Sequence, residues 1–230
     1  MYFKYYCINF FDNINKRIVN TNNSLLNWSF LSSILFIVLL VLLHFINPTL
    51  DPSWNFISEY EVGPWGWLMQ MAFLSLSLSC IFMVMALWNK LNVLGKIGFI
   101  MLLLSAIGMI IAAIFKTDPL NTAPRFQTQA GKLHQMGAML DQIPFAAILI
   151  TIALFKKKDW KLHKGLLLLL LALLWFGFVY FVGSVKANFP ADGKFGPNVL
   201  VGWQNRLMIL TQALWLASIA YMITSKKSIN

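Results

Sequence analysis

Six apolar runs, at 25–46, 65–87, 93–115, 133–155, 165–183 and 203–223, leave this chain little choice of solvent. Each is long enough to cross a hydrocarbon core of about 30 Å at about 1.5 Å of rise per residue. In lipid every backbone N–H and C=O must find a partner within the protein, so unbroken runs of this length are helices. Charged residues make up 11% of the chain, against roughly 25% in a soluble domain. The expected fold is all-α: a polytopic membrane protein with a bundle of six transmembrane helices over 25–223. A cytoplasmic or interfacial segment, 1–24, precedes the bundle, and a short cytoplasmic tail, 224–230, follows it. Little chain remains for a soluble domain.

The net charge of +10 would suit a nucleic-acid binder, but its distribution argues against one. Twelve of the 18 basic residues fall on the side that holds both ends of the chain: Lys4, Lys16, Arg17, Lys90, Lys96, Lys156, Lys157, Lys158, Lys161, Lys164, Lys226 and Lys227. Lys116, Arg125, Lys132, Lys186, Lys194 and Arg206 fall on the other. The positive-inside rule therefore places both termini in the cytoplasm. The basic surplus reads as a topology signal and a contact with anionic lipid. Membrane lipids are the expected partners, self-association into a homo-oligomer is left open, and nucleic acid is not expected. Cys7 and Cys80 lie in the tail and in a span, so no disulfide is expected.

The N-terminal segment mixes Tyr2, Phe3, Tyr5, Tyr6, Phe10 and Phe11 with basic residues. Either an interfacial segment or a disordered one fits that mixture, and Asn22–Ser24 would cap the first span. His44, near the outer end of that span, suits a ring at headgroup level. The first outer loop, 47–64, carries Asp51, Glu59 and Glu61 and no basic residue, and closes on Gly63-Pro64. Ser75, Ser77 and Ser79 alternate in the second span, so a helix puts them on different faces as packing serines. Ser105, Gly108 and Ala112 give the third span a small-residue stripe that permits close helix approach. The leucine-rich fifth span should face lipid, and His163 should be solvated in the basic loop before it.

The costly polar residues gather toward the outer side: Glu59, Asp118, His134, Asp141, Gln204 and Arg206. An ionisable residue inside a span costs about 2.5–3.5 kcal/mol on insertion scales and usually faces the bundle interior. Asp141 follows His134 by seven positions, two helical turns along one face and roughly 10 Å deeper. Pro144 leaves the carbonyl of Leu140 without its helical donor, which marks a break in the fourth span. Arg206 is the natural counter-ion for Asp141, Glu59 or Asp118. His134 with Asp118 or Asp141 would make an acid–base pair able to activate water. A metal site is harder to build from these residues, because zinc usually takes several His or Cys ligands. No cofactor is specified, and no phosphate loop, nucleophile elbow or HExxH motif occurs.

Ser58-Glu59-Tyr60, Gly63-Pro64, Gly66-Trp67, Thr117-Asp118-Pro119, Gly131 with His134, and Gln204 with Arg206 recur in an order that resembles a bacterial membrane family, domain-of-unknown-function family 998. A more distant similarity links the chain to the six-span damage-regulated autophagy modulators. The resemblance implies a multi-spanning architecture with a shared outer-face cluster and brings no activity with it; the chain is expected in the bacterial cytoplasmic (inner) membrane. Three functions stay open. The first is binding or handling of a lipid or other amphiphile at an outer-leaflet pocket, with Ser58, Glu59, Gln204 and Arg206 as ligand-binding residues. The second is an intramembrane enzyme of hydrolase type using His134, Asp118 and Asp141. The third is a structural or assembly protein whose polar cluster only fixes helix register.

Overall fold

The computed structural model describes residues 2–157, 164–190 and 193–225, with the backbone alone for 2–21. The expectations for His163, for the side chains of the aromatic N-terminal segment and for the tail beyond 225 lie outside the described residues. The helices are α1 (Tyr2–Ile46), α2 (Gly66–Leu87), α3 (Val93–Ile114), α4 (Gln129–Met139), α5 (Ile143–Phe155), α6 (Lys164–Asn188) and α7 (Gly202–Ser225). Short 3₁₀ turns occupy Ile57–Val62 and Pro124–Phe126. No strand occurs among the described residues. Six spans are long and apolar enough to cross a membrane, α4 and α5 together forming the fourth.

The spans close into a ring in chain order. Each packs on the next, α1 on α2, α2 on α3, α3 on α5, α5 on α6 and α6 on α7, and α7 closes the ring on α1. Short connections make sequence neighbours spatial neighbours. α2 also touches α7 across the ring, and its apolar window is 61% buried, against 17% for α6. The serines explain the difference. Ser75 bonds back to Ala72 O, Ser77 donates to Ala106 O of α3, and Ser79 bonds Ser29 and Ser33 of α1. Polar groups that need partners in lipid hold α2 among other helices, whereas the leucines of α6 are at home against acyl chains. The first span differs from expectation at its start. Asn22–Ser24 does not cap it, because α1 runs unbroken from Tyr2, and a cap is useful only where the preceding backbone leaves the helix.

The fourth span breaks between Met139 and Ile143. Four backbone N–H groups there would be exposed to a dry interior, and each has an acceptor. Leu140 N donates to Gly137 O, Asp141 N to Ala138 O, Gln142 N to Ser105 Oγ and Ile143 N to Asp141 Oδ1. Pro144 brings no N–H of its own. Non-helical backbone at this depth is tolerated where it is enclosed by protein or lines a cavity. The small-residue stripe supplies the enclosure. A Cβ on Gly137 would sit 2.6 Å from Gly108 O, so α3 and α4 meet backbone to backbone.

All the long loops gather at one end of the ring. The first, between α1 and α2, is pinned to the start of α7 by Gly202 N donating to Ser53 O at 2.9 Å and Ile57 N donating to Asn205 Oδ1 at 3.1 Å. Gly202 is required there, since a Cβ would collide with the Pro52 carbonyl.

Candidate functional site

A cavity of about 520 Å³ opens inside the ring below this loop-rich end. Its walls come from the first-loop 3₁₀ turn, from α3, α4, α5, α6 and α7, and from Phe73 of α2. The α7 residues that line it run from Asn205 to Gln212, about 10 Å along the helix axis. It therefore reaches from the loops into the middle of the bundle. Phe73, Met109, Ile143, Met208 and Ile209 give it apolar sides. Polar groups mark both ends: Ser58, Glu59, Thr117 and Asp118 at the loops, and Ser105, Asp141 and Gln212 at depth.

Of the seven residues singled out from the sequence, Ser58, Glu59, Asp118, His134 and Asp141 line this cavity, and Gln204 and Arg206 do not. Glu59 is buried at 7% exposure, and its Oε2 has no hydrogen-bond partner among the described residues. Burial holds its carboxyl above the ordinary range. The amides of Phe56 and Leu120 and the positive charge of Arg206 offset only part of that penalty. Asp118 is bound to the loop that starts α4. Thr128 N and Thr128 Oγ1 donate to it at 2.9 and 2.8 Å, and the same hydroxyl caps α4 by accepting from Gly131 N. Asp141 closes the break described above. Its Oδ1 takes Ile143 N, and its Oδ2 takes Gln212 Nε2 at 2.7 Å. Gln212 is fully buried, and its Oε1 is unpartnered among the described residues.

His134 is joined to neither Asp118 nor Asp141. Its partner is Glu61, a completely buried carboxylate, with Nδ1 to Oε2 at 3.2 Å. The same Nδ1 approaches Ala112 O at 3.2 Å and Phe115 O at 3.0 Å. All three partners are acceptors, so Nδ1 carries the hydrogen and the ring's second nitrogen is left for other work. Glu61 Oε2 also accepts from Thr117 N, while Oε1 has no partner among the described residues. The two glutamates diverge because they stand two positions apart on a helical turn, here a 3₁₀ helix. At about 120° per residue, positions two apart point to different sides. Glu59 lines the cavity, and Glu61 lies behind His134.

Arg206 departs most from expectation. It is 2% exposed, and no carboxylate among the described residues pairs with it. Nε donates to His44 Nε2 at 2.7 Å, Nη1 to Asn55 O and Gly202 O at 2.6 and 3.0 Å, and Nη2 to Tyr60 Oη at 3.2 Å. The His44 ring donates its Nδ1 hydrogen to Leu40 O at 2.7 Å, which leaves Nε2 as the acceptor Arg206 needs. Rings of Tyr60 and Trp203 flank the guanidinium. Arg206 thus ties α1, the first loop and α7 together, and holds in place the turn that carries Glu59 and Glu61. Gln204 faces α6, where its Nε2 donates to Tyr180 Oη at 3.4 Å.

Sequence reasoning missed Glu61, Gln212, Asn205 and the role of His44. A mid-span amide was the available signal for Gln212, since such a group must find a partner in lipid. Nothing in the order of residues separated Glu61 from Glu59. Among the described residues no three His, Cys, Asp or Glu side chains gather closely enough to hold a metal ion.

The family described as a protein of unknown function, DUF998, matches residues 30–222. No curated protein and no solved structure matches the chain.

Proposed function

The chain belongs to the DUF998 family, and from that premise and the site's geometry we propose that it binds an amphiphile in the cavity of the ring. One observation carries the reading: a 520 Å³ space with apolar sides and polar ends reaches from the loops into the bundle. Such a space suits a ligand that is itself part apolar and part polar. The ligand would come from the leaflet at the loop-rich end, which the distribution of basic residues makes the outer one. Ser58 and Glu59 would meet its headgroup, and Arg206 would act through the loop it holds. Ala138 lines the cavity, so Ala138→Trp should fill it. Native mass spectrometry of gently extracted protein should then show a bound amphiphile on the wild type and little on the variant. Equal ligand on both would sink the proposal.

The Glu61–His134 contact favours a second reading, hydrolysis of the bound amphiphile. A buried carboxylate that fixes the Nδ1 hydrogen leaves the other ring nitrogen to take a proton from water. Asp118 and Asp141, on the same cavity, would be the neighbouring acids. His134→Gln should keep both the fold and the bound ligand while abolishing any mass change in that ligand during incubation. Conversion at the wild-type rate would exclude this chemistry.

A further inference from the structure

The ionisable groups along the cavity are strongly biased in sign. Glu59, Asp118 and Asp141 line it together with His134, and no lysine or arginine does among the described residues. The nearest buried cation, Arg206, is engaged by four neutral acceptors and contributes no hydrogen bond to the lining. The lining's unmet hydrogen-bonding capacity is equally one-sided. Among the described residues, its buried and unpartnered side-chain atoms are Glu59 Oε2, Gln212 Oε1 and no donor, in residues 7% and 0% exposed. A buried acceptor without a donor costs about 1–3 kcal/mol, and more when it is charged. Among the described residues, the buried atoms of the lining that still want a partner want a donor, and no lysine or arginine side chain lines the cavity to supply one.

Aromatic side chains also stand at the loop end. Phe56, Phe181 and Phe195 wall the cavity there. They form a cluster in which Phe56 meets Phe195 at 5.3 Å and Phe181 at 6.2 Å, both edge to face. Aromatic walls attract cations. A phosphate or carboxylate headgroup would bring acceptors to acceptors and negative charge to carboxylates, which is the arrangement a specific site avoids.

The geometry points to an amphiphile with an ammonium headgroup, its N–H groups donated to Glu59 at the loop end of the cavity and its chain laid along Phe73, Met109, Met208 and Ile209. This rests on the amphiphile reading above and adds the sign of the headgroup. An ammonium offers up to three donors and one positive charge. It therefore meets the unpartnered Glu59 oxygen by a charge-assisted hydrogen bond, the stronger kind.

The test uses the full chain in a non-ionic detergent and three probes of one chain length: dodecylamine, dodecanoate and dodecanol. Native mass spectrometry reads saturable one-to-one binding, and butylamine serves as an amine without a long chain. Dodecylamine should bind about tenfold or more tighter than dodecanoate, the worth of one hydrogen bond to a charged group. Glu59→Gln should remove most of that preference, weakening dodecylamine far more than dodecanoate or dodecanol. The charge preference of the wild type needs no variant, so a poorly folding Glu59→Gln would not rescue the idea. If dodecanol and dodecanoate bind as well as the amine, the headgroup inference fails and the amphiphile reading stands. If none of the three long-chain probes binds, the amphiphile reading itself fails. If butylamine binds as tightly as dodecylamine, the site takes free amines and the amphiphile reading is again the one that falls.

Discussion

Glu59 and Asp51 belong to one loop and feel opposite environments. Asp51 is exposed, and Ser53 N donates to its Oδ1 at 2.8 Å, a bond that stabilises the anion and holds the carboxyl below its ordinary range. Glu59 is buried, and burial holds it above. The sign of the consequence for Glu59 follows from linkage. A folded-state value above 4.5 means that the folded protein holds this proton more tightly than the unfolded chain does. Its contribution is thus fully present below pH 4.5 and lost as pH rises through the raised value. Glu59→Gln cannot ionise. The melting temperature of the variant should therefore gain on that of the wild type as pH climbs from about 4 toward neutrality. A gap that stays constant over that range would show that the carboxyl is not destabilised by its surroundings. Glu59 was legible as a candidate because an acidic residue stands out in a loop between spans that carries no basic residue. Glu61 was not, because nothing in the order of residues says which of two acids two positions apart faces the cavity and which lies behind it. Arg206 was legible as costly and misread in its partners. Charge suggested a carboxylate, and the fold supplied His44, Tyr60 and two carbonyls instead.

At the scale of elements, the fourth span carries the most information. Pro144 announced a break, and the structure places that break one turn earlier, at 140–142, where Ser105 and Asp141 supply acceptors from side chains. The partner in α3 was not readable, since which helix faces the break depends on how the ring closes. The small-residue stripe was readable, and it fixes a sharp contrast. Gly137→Ala puts a Cβ 2.6 Å from the backbone oxygen of Gly108. It should separate α3 from α4 at a cost of about 1–3 kcal/mol. Gly183 lies in α6 with nothing within 4 Å of an added Cβ, and Gly183→Ala should be neutral or slightly stabilising, because alanine is the better helix former. Thermal unfolding of the two variants in the same detergent compares them directly. If Gly137→Ala melts with Gly183→Ala, the close approach is not what encloses the broken span.

For the molecule as a whole, composition and run length were enough to give six spans. The closure of α7 on α1 and the cavity left inside the ring are products of packing that no single span encodes. They require Gly202 against the Pro52 carbonyl, Arg206 across three elements and the broken span at the far wall, all at once. The central claim is that an amphiphile occupies that cavity. The most direct measurement is photo-crosslinking of the full chain in bilayers that contain an amine-headed lipid with a diazirine in its chain, followed by peptide mapping. Occupancy of the cavity predicts labels on Met109 of α3 and on Met208 and Ile209 of α7, lost in Ala138→Trp. Labels confined to the lipid-facing surface of α6, at exposed residues such as Phe176 and Val179, would contradict it.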